Sequence, residues 1–361
     1  MFVNKLSLIN FRNYEKASVE FSKGVNVIYG SNGTGKTNIL EAVYFLSTAR
    51  SHRQASNGEM IKFGADSAKI TADFRLTDKN YKSEILLFAD KKKRISINRI
   101  AVEKTSELME YLKTVMFCPE DLRLVKGAPK DRRRMLDLGI CQLKQNYFHA
   151  LVEYTKILHQ KSRLLKTGKN SETMWVWNEK LAKSGAAVIW YRKNYLDKLE
   201  KIAAEINFEI SSEKMELFYM PGAAISDFDD KSIIYEQLVA DINKNSHREL
   251  KLKIALTGPH RDDFKIKIND MEARFFASQG QQRTAAVSLK IAELEMIKNT
   301  FNETPVLLLD DVLSELDEKR RRYIMNKIQG VQVIITCTDA DRFSGVNLID
   351  VNNVQCTMYN D

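Results

Sequence analysis

A chain of 361 residues that is 44% apolar, with only five prolines and fifteen glycines, can bury two or three cores and leaves little room for linkers. Its 56 Lys and Arg against 47 Asp and Glu leave a formal charge of +9, and no run of eighteen apolar residues offers a membrane span. The start, Met1 to Phe11, is broken by Asn4, Lys5, Ser7 and Asn10 and is not a signal peptide, while Cys118, Cys141, Cys337 and Cys356 form no C-x-x-C or Cys/His cluster. Reduced thiols and a cytoplasmic location are therefore expected.

The first chemistry-bearing element is a strand, Val25-Asn26-Val27-Ile28-Tyr29, followed by Gly30-Ser31-Asn32-Gly33-Thr34-Gly35-Lys36-Thr37 and a helical pattern from Asn38 to Leu46. Strand, glycine loop and helix is the setting of a phosphate-binding loop, G-x-x-x-x-G-K-[ST]. There the glycines turn backbone N–H groups toward phosphate oxygens and the helix N-terminus favours negative charge. Lys36 reaches the β and γ phosphates of ATP, and the Thr37 hydroxyl ligates Mg²⁺.

Alternation of Ala68, Ile70, Ala72 and Phe74 predicts an antiparallel subdomain. Lys91-Lys92-Lys93-Arg94 falls between alternating strands at Glu84–Phe88 and Ile95–Asn98 and reads as a hairpin tip. From Lys126 to Asn170 there are eleven Lys or Arg and three Asp or Glu, an excess of +8 that is nearly the whole imbalance of the chain. Arg132, Arg133 and Arg134 open this stretch. A helical pattern through Tyr147, Leu151, Tyr154, Leu158 and Leu165 then carries Lys161, Arg163 and Lys166. Such a face fits a solvated surface as well as a nucleic-acid site. Asp197–Ile210 is a further helix, so the middle of the chain is mainly helical.

Near the other terminus, Val306-Leu307-Leu308-Leu309-Asp310-Asp311 is an apolar strand ending in two carboxylates, 274 positions beyond Lys36. Asp310 suits the Mg²⁺ shell, and Asp311 suits the catalytic task of orienting the attacking water. Asp is one methylene shorter than the Glu found there in many ATPases, which is consistent with slow hydrolysis. The helix Glu318–Ile328 and the buried strand Val331–Ile335 complete this end.

Ser278-Gln279-Gly280-Gln281-Gln282 precedes a helix over Arg283–Asn299 and resembles the signature motif of ATP-binding-cassette (ABC) proteins, which contacts the γ-phosphate held by another subunit. Ser314-Glu315-Leu316-Asp317 resembles the D-loop that crosses the same interface. The order of parts resembles the heads of SMC-type chromosome and repair ATPases, with an insertion too short for their coiled coils.

The chain as a whole resembles the RecF family of bacterial recombination and gap-repair ATPases. The matching segments are Asn10-Phe11-Arg12-Asn13-Tyr14, the phosphate loop, Ser51-His52-Arg53, Phe117–Leu122, Leu124–Gly127, Thr257-Gly258-Pro259-His260-Arg261-Asp262-Asp263-Phe264 and Ser278–Arg283. The resemblance implies an α/β fold, an ABC-type P-loop ATPase head interrupted by a mainly helical insertion. The first lobe is expected at 1–125, the insertion at 126–250 and the second lobe at 251–361. It also implies that Arg12 and Asn13 join the ATP site, that ATP closes a head-to-tail homodimer, and that the basic insertion binds single- and double-stranded DNA. The implied role lies at gaps and junctions in repair, replication and the SOS response, as a slow DNA-stimulated ATPase acting with RecR and RecO to load RecA. No His follows Ile335, so Thr338 takes the place of the ABC switch residue, and no Gln marks a Q-loop between Phe117 and Leu122. These departures and the basic insertion argue against a transporter subunit. The lack of N-K-x-D argues against a GTPase.

Overall fold

The computed structural model of the chain describes residues 1–168, 173–341 and 343–356. They form two compact units: Met1–Asp121 with Lys290–Asp361, and Leu122–Leu289.

The first unit holds two sheets. Asn347–Asp350, Val25–Tyr29, Val333–Cys337, Val306–Asp310 and Thr114–Phe117 lie in that order as a five-stranded parallel sheet. Val306 to Leu309 are uninterrupted apolar residues, as expected of a strand covered on both faces. The other sheet has six strands and is antiparallel, with Phe2–Phe11 between Tyr14–Glu20 and Ser67–Leu76, followed by Lys79–Phe88, Arg94–Ile97 and Ile100–Ala101. Ala68, Ile70, Ala72 and Phe74 are buried, as their alternation predicts. The helix Lys36–Thr48 touches strands of both sheets, and its apolar residues are buried around its whole circumference rather than on one stripe.

The hairpin tip at 91–94 forms, but Lys93 does not stand in solvent with its neighbours. Its ammonium donates to the Ala49 carbonyl and lies 4.8 Å from the centroid of the Phe45 ring. Burial lowers its pKa to about 8.

The second unit contains the helices Pro129–Leu143, Gln145–Thr167, Met174–Ser211 and Lys231–Leu252. Asp197–Ile210, read as a separate helix, is the last part of the 38-residue helix Met174–Ser211. The unit also has a three-stranded antiparallel sheet in which Asp263–Ile268 pairs with Met215–Met220 and with Met271–Glu272. That pairing ties residues beyond 251 to the insertion. The second lobe expected from 251 therefore begins at Lys290, and the signature segment belongs to the second unit. The helix Gln279–Phe301 starts in the second unit and ends in the first. Among the described residues, no helix is long and apolar enough to cross a membrane.

Candidate nucleotide site and trans face

The strand Val25–Tyr29 delivers the chain into Gly30, Gly33 and Gly35, whose φ values of 148°, 82° and 108° are ones that L side chains rarely adopt. At Gly35 a Cβ would also lie 2.6 Å from Asn13 Nδ2 and 2.7 Å from the Tyr14 hydroxyl, so a side chain is excluded twice over. No side chain caps the helix that follows, which leaves its first N–H groups to an anion. Lys36 is only 8% exposed, and its ammonium donates to the carbonyls of Gly30 (2.7 Å) and Ser31 (2.8 Å). These are neutral acceptors, weaker than phosphate oxygens by the usual margin for charge-assisted bonds.

The two distant halves meet. Thr37 Oγ1 donates to Asp310 Oδ1 at 2.8 Å, across 273 residues of sequence. The parallel register explains it, because Val306–Asp310 runs beside Val333–Cys337, which in turn runs beside Val25–Tyr29. Thr336, two residues before the Thr338 expected as the switch, donates from Oγ1 to the same Asp310 oxygen at 2.7 Å and accepts from the Asp311 N–H at 3.0 Å. Thr338 lies one residue past that strand and is exposed. Burial raises the Asp310 pKa, and the hydrogen bonds from Thr336 and Thr37 and the charge of Arg53 offset it only in part. Hard oxygen donors on a partly buried carboxylate and a threonine suit Mg²⁺, which takes few protein ligands and keeps several waters.

Asp311 adopts a left-handed backbone (φ 54°), uncommon for a non-glycine residue, and receives Ser314 Oγ at its carbonyl (2.6 Å) and carboxylate (3.2 Å). Asp317 caps the helix Glu318–Lys327 by accepting from the Arg320 N–H, and it pairs with the Arg320 guanidinium.

Arg12, expected to touch the nucleotide, is engaged elsewhere. Its guanidinium donates twice to Glu41, at 2.8 Å each, and to the Glu59 carbonyl at 2.6 Å. Burial would raise the Glu41 pKa, but the Arg12 and Ser51 hydrogen bonds outweigh it and hold the carboxyl below its ordinary value. Arg12 thus ties the phosphate-loop helix, through Glu41, to the Glu59 carbonyl. Asn13 does reach the loop: its Nδ2 donates to Thr34 O at 3.1 Å, and its Oδ1 accepts from Asn38, which is also bonded to Arg53.

In the signature segment, Ser278 and Gln281 form a reciprocal pair. The Ser278 N–H donates to Gln281 Oε1 at 2.7 Å, and the Gln281 N–H donates to Ser278 Oγ at 3.2 Å. This is the S-x-x-Q capping box, legible in the sequence but read there only as a phosphate contact. Gln281 Nε2 also donates to Glu213, and the buried Gln282 donates to the Ala277 carbonyl. Of these two glutamines, both expected on the trans face, Gln282 is buried and Gln281 is half-buried and bonded to Ser278 and Glu213. Ser278, Gln279 and Gly280 stand at the helix start.

The basic stretch divides similarly. Arg132 is held by Asp263 (2.6 and 2.9 Å) with its side chain 4% exposed, and Lys161 lies 2.6 Å from Glu249 and is fully buried. Both charges are thus spent on carboxylates inside the unit. Arg133 is half-buried and donates to the Asp262 carbonyl, and Arg134 is half-buried, whereas Arg163 and Lys166 are exposed. The segment Thr257–Phe264 is the polar core of this unit. Asp262 accepts from Arg192 (2.7 Å), the Gly222 N–H (2.7 Å) and the Tyr219 hydroxyl, and Arg192 also pairs with Asp137.

Residues 2–359 match the family model described as RecF/RecN/SMC N terminal domain. A DNA replication and repair protein RecF from Acetivibrio thermocellus is 39% identical over 356 residues, covering 97% of this chain and 96% of that protein. Two solved structures of the recombination mediator protein RecF in the RecFOR pathway, RecF-ATPrS and RecF-ATP, match with TM-scores of 0.91 and 0.90 at 38% identity. They cover 97% and 95% of this chain, and 97% and 93% of theirs. With this fold and this degree of identity over almost its whole length, the chain belongs to the RecF family of DNA replication and repair proteins.

Proposed function

We propose that the chain is an ATP-dependent, DNA-binding recombination mediator that works as a switch. One observation carries this beyond family membership: the 2.8 Å contact between Thr37 and Asp310, which joins the phosphate loop to the acidic strand. ATP lies along Gly30–Thr37, where Lys36 exchanges its two carbonyl partners for phosphate oxygens. Thr37 and Asp310 would hold Mg²⁺, which would supply neutralisation of phosphate charge. Thr336 fixes the Asp310 carboxylate and the Asp311 N–H together, Asp311 orients the attacking water, and Ser314 holds Asp311.

The site is completed in trans. Ser278 and Gly280 of a second copy cover the γ-phosphate, so ATP closes a head-to-tail dimer and hydrolysis opens it, slowly and with stimulation by DNA. DNA lies against the second unit at Arg163 and Lys166, at single-strand gaps and duplex junctions, with RecR and RecO as partners. The RecFOR context of the solved relatives supports those partners. Titration of duplex DNA with and without ATP, on the wild type and on Lys36→Ala, tests the reading. Lys36→Ala is expected to lose ATP binding and ATP-dependent DNA retention together. Normal nucleotide affinity in that variant would sink it.

A further inference from the structure

Three aromatic rings stand in solvent beside the two halves of the proposed composite site. Phe63 is fully exposed, and Phe275 and Phe276 are 67% and 66% exposed. Each is presented by a fixed backbone. The segment before Phe63 is tied to the strand that leads into Asn13, because Arg12 N–H donates to Met60 O and Lys62 N–H donates to Asn10 O, both at 2.8 Å. The chain then turns through Gly64 (φ 84°), with Ala65 N–H donating to Lys62 O, so Phe63 caps a tight turn. Asn13 of that same strand end is bonded to Thr34 of the phosphate loop. Phe63 therefore belongs to the rim of the nucleotide side.

Phe275 and Phe276 belong to the signature side. They end the short helix Ala273–Phe276, with ring centroids 6.3 Å apart, two residues before Ser278. Buried Gln282, inside the signature helix, donates to the Ala277 carbonyl at 2.8 Å and so locks this knob to the helix start.

We infer that the rings form one contact in trans: Phe63 of one copy packs against Phe275 and Phe276 of a second copy when ATP closes the dimer. The inference rests on the head-to-tail reading above, which brings the phosphate-loop rim of each copy to the signature face of the other. A twofold interface then makes the contact twice, since residue i meets j and j meets i. Exposed aromatics on a pre-ordered backbone give contact area at little entropic cost and are common at the energetic centre of interfaces. Charge favours a second copy over nucleic acid as the occupant. Exposed Glu59 and Asp66 flank Phe63 in the chain, with Glu15 neutralised by Lys62 at 3.1 Å, whereas Arg274 sits 5.4 Å from the Phe275 ring centroid.

The test compares wild type, Phe63→Ser, the pair Phe275→Ser/Phe276→Ser, and all three changes together. Dimer dissociation constants are measured by sedimentation with a non-hydrolysable ATP analogue, beside monomer nucleotide affinity and thermal unfolding. A contact made twice and weakened about tenfold each time raises the dimer constant roughly 100-fold, with nucleotide affinity and unfolding unchanged. The triple variant should be within a few-fold of either alone, because removing both partners of one contact costs little more than removing one. Dimerisation within threefold of wild type in the single-side variants would overturn the inference, as would a triple variant whose losses multiply. So would a loss of single-stranded DNA binding with dimerisation intact. A wild type that stays monomeric with the analogue would instead overturn the head-to-tail reading, and this inference with it.

Discussion

The buried pair Lys161–Glu249 offers a sharp test of how the second unit holds together. The two side chains are 0% and 1% exposed and 2.6 Å apart. Burial pulls the Lys161 ammonium below its ordinary pKa while Glu249 pushes back. Lys161→Met fills the same channel with apolar atoms but leaves a carboxylate without its counter-charge, at a cost of about 3–5 kcal/mol. For a unit of this size each kcal/mol moves the unfolding midpoint by about 2–4 °C, so a fall of roughly 6–20 °C is expected. Adding Glu249→Gln removes the stranded charge and keeps an oxygen for the Leu256 N–H, which now donates to Glu249 Oε1 at 2.7 Å. The double variant should therefore recover to within about 1.5 kcal/mol of wild type. Trp175, Trp177 and Trp190 are the three tryptophans of the chain and all lie in this unit, so urea unfolding followed by tryptophan fluorescence reports it selectively. A single variant within about 0.5 kcal/mol of wild type, or a double variant as unstable as the single, would refute the argument.

What was legible in the sequence is what chemistry forces onto fixed spacing. The phosphate loop needs glycines where φ is positive and Lys-Thr at the helix start, and the acidic strand needs an apolar run before its carboxylates; both appear as read. Partners far apart in sequence were not legible. Arg132 and Lys161 count as positive charge in any local tally, but Asp263 stands 131 residues from the first and Glu249 lies on another helix from the second. The strand Asp263–Ile268 does carry a signal, strict alternation of charged and apolar residues, that would have marked it. Its pairing with Met215–Met220 is non-local, and that pairing is what moved the lobe boundary from 251 to Lys290. Thr336 was hidden because it reads as the tail of an apolar strand; only the register beside Asp310 gives its hydroxyl a task.

Asp311→Asn should still bind ATP, since Thr37 and Asp310 are untouched, and should hold the dimer closed longer; dimers that part as fast as wild type in ATP would remove Asp311 from the water-orienting role. Burial lowers the His260 pKa from 6.5 to about 4, its Nε2–H facing the Ala255 carbonyl while Nδ1 accepts from Tyr154. Between those values the unfolded chain holds a proton that the folded one lacks, so the second unit should lose up to about 3 kcal/mol as pH falls from 6.5 to 4 and no more on this account below it. A His260→Gln variant with the same acid loss would refute that. The DNA surface gives the last test, and the burial pattern sharpens it. Each Lys or Arg on a phosphate contributes about −0.9 to the slope of log K against log[salt]. Arg163 and Lys166 are exposed one helical turn apart on Gln145–Thr167, so reversing both to Glu should flatten the slope by about 2 and weaken binding to all sequences alike. The double variant Lys161→Met/Glu249→Gln should leave the slope unchanged, because a fully buried ammonium releases no counterions. If the two results are reversed, Lys161 must leave its pocket when DNA binds. If neither variant moves the slope, the face of Gln145–Thr167 is not the DNA surface, and phosphate contacts have to be sought on other exposed cations.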